Sequence, residues 1–210
     1  MSLLAGCPAG SALTAVVQTN CDVTMGQIQK VAFQRLKGAA INAFTISTGS
    51  PVLKASWTPL LAASDGTKVT VSPYIENPTS EPGAARTFGG GNATIGGIAR
   101  VIGEDPSSFK AVLTAKSSAT VKSLKSYMAE GDNVGVFLID ANGQMAGIAD
   151  DLTTPTKISP IPITALFVGS RKLGGFEAPD SNVLEWMFKP NWSDNLIIFK
   201  PTDFNPLTDL

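Results

Sequence analysis

The sequence of 210 residues contains no histidine. Histidine is the commonest general base and a frequent zinc ligand, so its absence excludes the usual nucleophilic triad and most zinc sites. The two cysteines, Cys7 and Cys21, belong to no CxxC pair and predict either free thiols or a single disulfide. We expect a protein that is not an enzyme and that holds neither a metal ion nor another cofactor.

An excess of charge of one sign and long apolar runs are missing too. The formal net charge is -1, which gives no general attraction to nucleic acid or to anionic membranes. No apolar run reaches the length of about 18 residues that a transmembrane helix needs. The segment LLAGC resembles a lipobox, but only six residues precede Cys7, too few for a signal peptide. We expect no sequence-specific nucleic acid binding, no membrane association and no secretion by a signal peptide.

The charges that are present are unevenly distributed along the chain. Residues 1–60 carry four basic side chains against Asp22, whereas residues 176–210 carry six acidic side chains against two basic ones. Opposite charges at the two ends of a chain can complement those of a second copy, head to tail. The alternative interpretation is that both ends are simply solvated.

Short alternating apolar patterns predict strands in the first half of the chain. Residues 27–36, QIQKVAFQRL, alternate and favour a strand, with a helix as the competing interpretation. Two β-rich segments, residues 52–64 and 67–75, flank an Asp-Gly pair and predict a hairpin, because both central positions of the favoured turn need a positive φ. Residues 76–94 predict a long loop, of a length typical of functional or assembly elements.

The second half contains the predicted helix, at residues 106–130. The pair Asp105-Pro106 can begin a helix, since aspartate caps free amides and proline suits the first turn. Apolar residues then recur at helical spacing, and Gly131 supplies the end. A second hairpin is predicted at residues 133–149, around Asn-Gly.

Together these patterns predict a mainly β protein. The expected architecture is an antiparallel β-sandwich or barrel of about 8–10 strands with one flanking α-helix and extended terminal arms. The N-terminal arm is predicted at residues 1–25, a single β-rich domain at residues 26–200, and a C-terminal arm at residues 201–210.

The glycine-rich stretch at residues 88–109, FGGGNATIGGIARVIGEDPSSF, does not fit a phosphate loop. After Gly89 and Gly91 the dinucleotide pattern requires a third glycine where Thr94 stands, and the P-loop lysine is missing. We expect this stretch to be a pliable joint that orders on assembly.

Two short segments match motifs of the penicillin-binding proteins and β-lactamases. Ser107 and Lys110 fit S-x-x-K, and residues 193–195 fit S-D-N, but K-T-G is missing. A Ser–Lys acyl-transfer enzyme is therefore a remote alternative, and helix capping and a turn are the favoured interpretation of the two matches.

Aromatic residues and the glycine run supply the candidate subunit-interface residues. Trp186 and Trp192 are favoured as residues of a last hairpin, with Trp186 in its core, and the alternative makes them interface anchors, because buried tryptophan dominates many interfaces. The candidate interface set is Phe88, Gly89, Gly90, Gly91, Trp186, Trp192 and Phe204.

These features together resemble a structural subunit of a bacteriophage particle, most closely a tail tube protein. The segments that match are residues 106–130, residues 133–149 and VLEWMFKPNWSDNLIIF, and the resemblance is one of architecture over about residues 27–200, without a diagnostic motif. It implies a self-assembling virion protein, a homo-oligomer whose arms join rings into a stack. Its partners would be copies of itself and other virion proteins, and it would assemble in the host cytoplasm.

Two further functions remain as alternatives. A phage head decoration or adaptor protein would share the composition but bind a capsid lattice. A carbohydrate-binding β-sandwich would use Trp57, Trp186 or Trp192 as a stacking platform.

Overall fold

The computed structural model describes residue 16 and residues 24–210. Cys7, Cys21 and most of the predicted N-terminal arm lie outside the described residues. The strands are β1 (Ile28–Arg35), β2 (Phe44–Thr45), β3 (Val69–Val71), β4 (Glu76–Glu81), β5 (Ala85–Phe88), β6 (Arg100–Glu104), β7 (Ser107–Thr114), β8 (Val134–Asp140), β9 (Met145–Ala149), β10 (Lys157–Ser159), β11 (Ile161–Val168), β12 (Ser181–Phe188) and β13 (Leu196–Phe199). The α-helices are α1 (Lys54–Ala62), α2 (Ser118–Ser126) and α3 (Pro206–Asp209), and 3-10 turns lie at Gly91–Ala93, Ile95–Gly97 and Tyr127–Asn133.

Eleven strands form one antiparallel sheet that turns from one layer into another. Its main path is β2-β10-β9-β8-β11-β12-β7-β4, with β1 beside β8, β3 beside β1 and β13 beside β9. Strand β11 belongs to both layers, because its first residues pair with β8 and its later residues pair with β12. The pairing of β11 with β12 is irregular between Thr164 and Phe167, where Ala165 has a φ of 52°. The mainly β, sandwich-like fold is therefore confirmed.

The first hydrophobic core lies between the two layers. Every second residue of β7 and of β12 points into it, which is the period that a half-buried strand requires. The Trp186 ring stacks on Phe109 with centroids 4.2 Å apart. Helix α2 closes this core with Val121 and Leu124, both buried.

A second core lies on the other face of β8, which is buried along its whole length. Phe137 and Ile139 point into this core and meet Trp57 of α1. The centroid of the Trp57 ring lies 4.6 Å from that of Phe44 and 5.2 Å from that of Phe137. Its Nε1 donates a hydrogen bond to the carbonyl oxygen of Pro51 at 2.8 Å. The described residues thus contain two cores with β8 between them.

The predicted helix at residues 106–130 is wrong in its first half. Residues 107–114 form strand β7, which pairs with both β12 and β4, and the α-helix begins only at Ser118. The Ser117 hydroxyl accepts a hydrogen bond from the Thr120 amide at 3.1 Å and caps α2. The pattern was ambiguous because Phe109, Val112 and Leu113 also fit helical spacing.

The predicted hairpin at residues 52–75 is wrong as well, because its first segment forms helix α1. The predicted loop at residues 76–94 contains strands β4 and β5. Strands β12 and β13 do not form the last hairpin, since β13 pairs with β9. The strand at residues 28–35 and the hairpin of β8 and β9 are confirmed.

The C-terminal segment is not an extended arm. Residues 201–210 include α3 and pack Phe204, Leu207 and Leu210 against the second core. The Lys30 ammonium donates to the Leu207 carbonyl oxygen at 2.6 Å, and Lys54 lies 3.9 Å from Asp209. Basic residues of the first part of the chain thus meet acidic or carbonyl groups of its end within one molecule. These charges therefore contribute less to attraction between two copies than the sequence indicated.

Helix α1 is capped from this distant segment, and removing the cap should destabilise the fold. Leu53 precedes the helix and offers no side-chain cap, whereas an Asp203 carboxylate oxygen accepts a hydrogen bond from the Lys54 amide at 2.8 Å. We expect Asp203→Ala to lower the free energy of unfolding by about 1 kcal/mol, the usual loss on removing a cap. Denaturant unfolding measures the change. The exposed Asp132→Ala is the control, and an equal loss in both variants would contradict the capping role.

Candidate interaction surface

Strands β5 and β6 form a separate two-stranded hairpin that carries the largest group of exposed apolar side chains among the described residues. No residue from 82 to 106 is buried. At the tip Ile95 is 101% exposed and Ile98 is 67% exposed. Phe88, Val101 and Ile102 are also more than half exposed. An isolated two-stranded hairpin is marginally stable in water, so this one would gain from a partner surface.

The glycines at the tip allow a backbone conformation that other residues rarely adopt. Gly89, Gly90, Gly91, Gly96 and Gly97 all have a positive φ. At Gly89 an added Cβ would also lie 2.0 Å from the Thr94 methyl group, so a side chain there would both strain the backbone and clash. The glycine run is thus needed for the shape of the tip, and nothing about it indicates a phosphate site.

Thr94 holds the tip together. Its hydroxyl accepts a hydrogen bond from the Gly90 amide at 3.0 Å and donates to the Ile98 carbonyl oxygen at 2.9 Å. At the base Arg86 lies 3.1 Å from a carboxylate oxygen of Asp105, which ties the two ends of the hairpin together. The apolar side chains are therefore presented on a backbone with defined contacts.

The predicted interface residues fall into two groups. Phe88 and the three glycines that follow it lie together on the hairpin. Trp186 is 2% exposed and is a core residue, so its candidacy as a surface anchor is wrong. Trp192 is half-buried and stacks on Phe188 at 4.2 Å, and Phe204 is half-buried against the second core. These last two side chains are already used within the chain.

The sequence did not reveal Ile95, Ile98, Val101 and Ile102 as surface residues, because branched apolar side chains are typical of buried strands. The five positive-φ glycines around residues 89–97 were the available signal, because such a run disrupts a regular strand.

The proposed Ser–Lys pair is not brought together. Because Ser107 and Lys110 are three residues apart on strand β7, their side chains point to opposite faces. Ser107 is buried, and its hydroxyl accepts from the Gly83 amide at 3.2 Å, while Lys110 is exposed. The Ser–Lys acyl-transfer alternative has no geometric support.

A carbohydrate platform on two of the tryptophans is also contradicted. Trp57 and Trp186 are buried in the two cores, where no sugar ring can stack on them. The Nε1 of Trp186 has no hydrogen-bond partner, and the aromatic rings that surround it leave it enclosed. Trp192 is the remaining candidate, with one face on Phe188.

The carboxylate with the strongest pKa shift in the described part of the chain belongs to a loop. Asp150 accepts hydrogen bonds from the Thr156 hydroxyl at 2.5 Å and from the Thr156 and Lys157 amides at 2.9 Å. These bonds hold the pKa of Asp150 far below its usual range. A carboxylate so engaged orders its own loop and is a poor proton donor.

Within residues 24–210 no group of three or more acidic or cysteine side chains is arranged to hold a metal ion. None of the described helices has the length and apolar character needed to cross a membrane. The projecting hairpin thus stands out as the candidate site.

Comparison with protein-family models, with curated proteins and with solved structures finds no match to this chain.

Proposed function

We propose that this chain is a non-enzymatic structural subunit that associates with copies of itself. The observation that carries the proposal is the hairpin β5–β6, whose apolar side chains cover no part of either core. Exposed apolar groups of this extent are typical of protein interaction sites. The hairpin projects from a sandwich with two well-packed cores, so it is not needed to complete the fold.

The size of the apolar effect favours association. Burying one isoleucine side chain stabilises a complex by about 2 kcal/mol, and each 1.4 kcal/mol changes the dissociation constant about tenfold. Ile95, Ile98 and Phe88 together could therefore support a specific contact, after the cost of immobilising the partners is met.

The setting that we propose is a bacteriophage virion, with the chain as the subunit of a tail tube built from stacked rings. Support comes from the architecture: an antiparallel sandwich without histidine, a helix packed on it and a projecting element suited to contacts between subunits. Heterologous contacts between copies generate rings and stacks. On this proposal the other partners are further virion proteins, and assembly takes place in the host cytoplasm.

A head decoration or adaptor protein is the second candidate, and the same hairpin favours it, since the apolar tip could equally contact a capsid lattice. Assembly of the purified protein alone supports the tube subunit. Assembly only when heads are added supports the decoration protein.

The hairpin tip should control self-association. We expect Ile95→Glu to raise the concentration needed for assembly at least about 30-fold. The contact would lose the isoleucine side chain that it buries, and a charge would be placed in it. Light scattering over a concentration series and negative-stain microscopy measure the effect. The matched control is Ile41→Glu, an equal change at a residue that is 76% exposed on a different surface.

Both variants should unfold at nearly the wild-type denaturant concentration, because neither side chain is buried. A wild-type protein that stays monomeric at every concentration, with no particles by microscopy, would contradict the proposal. Equal assembly of Ile95→Glu and the wild type would show that the hairpin is not the contact.

A further inference from the structure

A second exposed apolar surface lies on the loop between β11 and β12, residues 169–180. Leu173 is 76% exposed and Phe176 is fully exposed. The loop has an ordered backbone, since Lys172 and Ser181 exchange two hydrogen bonds and the Gly174 amide donates to an Asp180 carboxylate oxygen at 3.2 Å. Two apolar side chains are thus held out from the sheet at this point.

The hairpin and this loop lie at opposite ends of the same layer of sheet. Strand β7 begins directly after the hairpin, at Ser107, which pairs with Phe188. It ends at Thr114, which pairs with Ser181 at the end of the loop. Seven residue steps of about 3.3 Å separate the two ends by about 23 Å. One chain therefore presents two unlike apolar surfaces at opposite ends of this layer.

The charges at these two ends differ in sign. At the hairpin end, the segments at residues 127–133 and 150–156 carry four acidic side chains, namely Glu130, Asp132, Asp150 and Asp151. Basic residues offset part of this charge, since Arg35 forms an ion pair with Glu130, and Lys157 and Lys189 directly follow the 150–156 segment and strand β12. Strand β11 begins beside both β8 and the end of β12, which places these loops at that end.

The opposite end is basic. A cavity of about 250 Å³ there is lined by Lys122, Lys125 and Arg171, and Lys116 and Lys172 lie beside it. Asp180, 3.7 Å from Arg171, and Glu177 offset part of this charge. The acidic and basic ends of two copies would attract each other and would orient the apolar contact.

We infer that the hairpin β5–β6 of one copy docks on the loop at residues 169–180 of the next copy, in a head-to-tail contact. This inference rests on the self-association proposed above and names the two surfaces that meet. The contact is heterologous, so each subunit still presents one free surface of each kind after pairing. Repetition of the contact produces a ring or a stack.

Mixing two variants tests which surfaces meet. Ile95→Glu removes the hairpin surface and keeps the loop, whereas Phe176→Glu removes the loop surface and keeps the hairpin. We expect each variant alone to be monomeric at concentrations at which the wild type assembles. An equimolar mixture should form dimers and stop there, because one productive contact remains. Light scattering with one variant mass-tagged identifies the mixed dimer.

The outcomes separate this inference from the proposed function. Mixtures that stay monomeric while the wild type assembles would overturn the head-to-tail contact and leave self-association standing. Phe176→Glu alone forming dimers would mean that hairpins pair with hairpins, which also overturns it. A wild type that never assembles would overturn the proposed function itself. Both substitutions affect exposed residues, and unchanged denaturant unfolding curves confirm that the variants are folded.

Discussion

Trp57→Ala should lower the free energy of unfolding by about 3–5 kcal/mol, the usual loss when a large aromatic residue is removed from a core. Trp57 is fully buried and contacts Phe44 and Phe137, and it joins helix α1 to the sheet. Its Nε1 bond to the Pro51 carbonyl oxygen is lost as well. Since a domain of this kind is stable by about 5–15 kcal/mol, the variant should lose a large share of its stability. Urea unfolding followed by circular dichroism measures the loss.

Two controls separate packing from hydrogen bonding at this position. Trp57→Phe keeps an aromatic ring but loses the hydrogen bond, so it should cost less than the alanine variant. Trp192→Ala removes a half-buried tryptophan that stacks on Phe188, and it should also cost less than Trp57→Ala. If Trp57→Ala changed stability by less than about 1 kcal/mol, helix α1 would not be part of the cooperative core.

The parts of the fold that sequence reasoning predicted are those with local signals. The hairpin of β8 and β9 follows from an apolar run, an Asn-Gly turn and a second apolar run, all within residues 133–149. The alternation of residues 28–35 likewise fixes β1. In these segments the pattern that specifies the element lies within the element itself.

The segments that were predicted wrongly depend on distant residues. Strand β7 is paired by β12 and β4, and over eight residues its apolar positions fit both a strand and a helix. Helix α1 contains Pro59 and has no cap of its own, and its stabilising contacts come from Asp203 and from the second core. No pattern within either segment contains that information.

Only the part of the candidate surface that depends on local signals could be predicted from the sequence. The glycines at residues 89–91 excluded a phosphate site by their spacing, and their need for positive φ is a local property. The exposure of Ile95 and Ile98 depends on what the rest of the chain leaves uncovered. Sequence alone therefore could not distinguish a projecting hairpin from a strand of the core.

Asp140→Ala should lower the free energy of unfolding by about 2–3 kcal/mol, the size typical of hydrogen bonds to a charged group. The Asp140 side chain is buried at the turn between β8 and β9. Its Oδ1 accepts from the Asn142 amide at 2.9 Å and from the Gln144 amide at 2.8 Å, and its Oδ2 accepts from the Gly26 amide at 2.8 Å. One carboxylate thus joins the turn to the residues that precede β1, and the alanine variant leaves three amides without this acceptor.

Asp140→Asn tests whether the two oxygens act separately. The amide oxygen can keep the two bonds to the turn, while the amide nitrogen cannot accept from Gly26, so the loss should lie between that of the alanine variant and zero. Asp132→Ala, at an exposed position, controls for the loss of a negative charge and should change stability by less than about 0.5 kcal/mol. Chemical denaturation gives the three values. Equal losses for Asp140→Ala and Asp132→Ala would mean that the charge, rather than the buried acceptor, is what the fold requires.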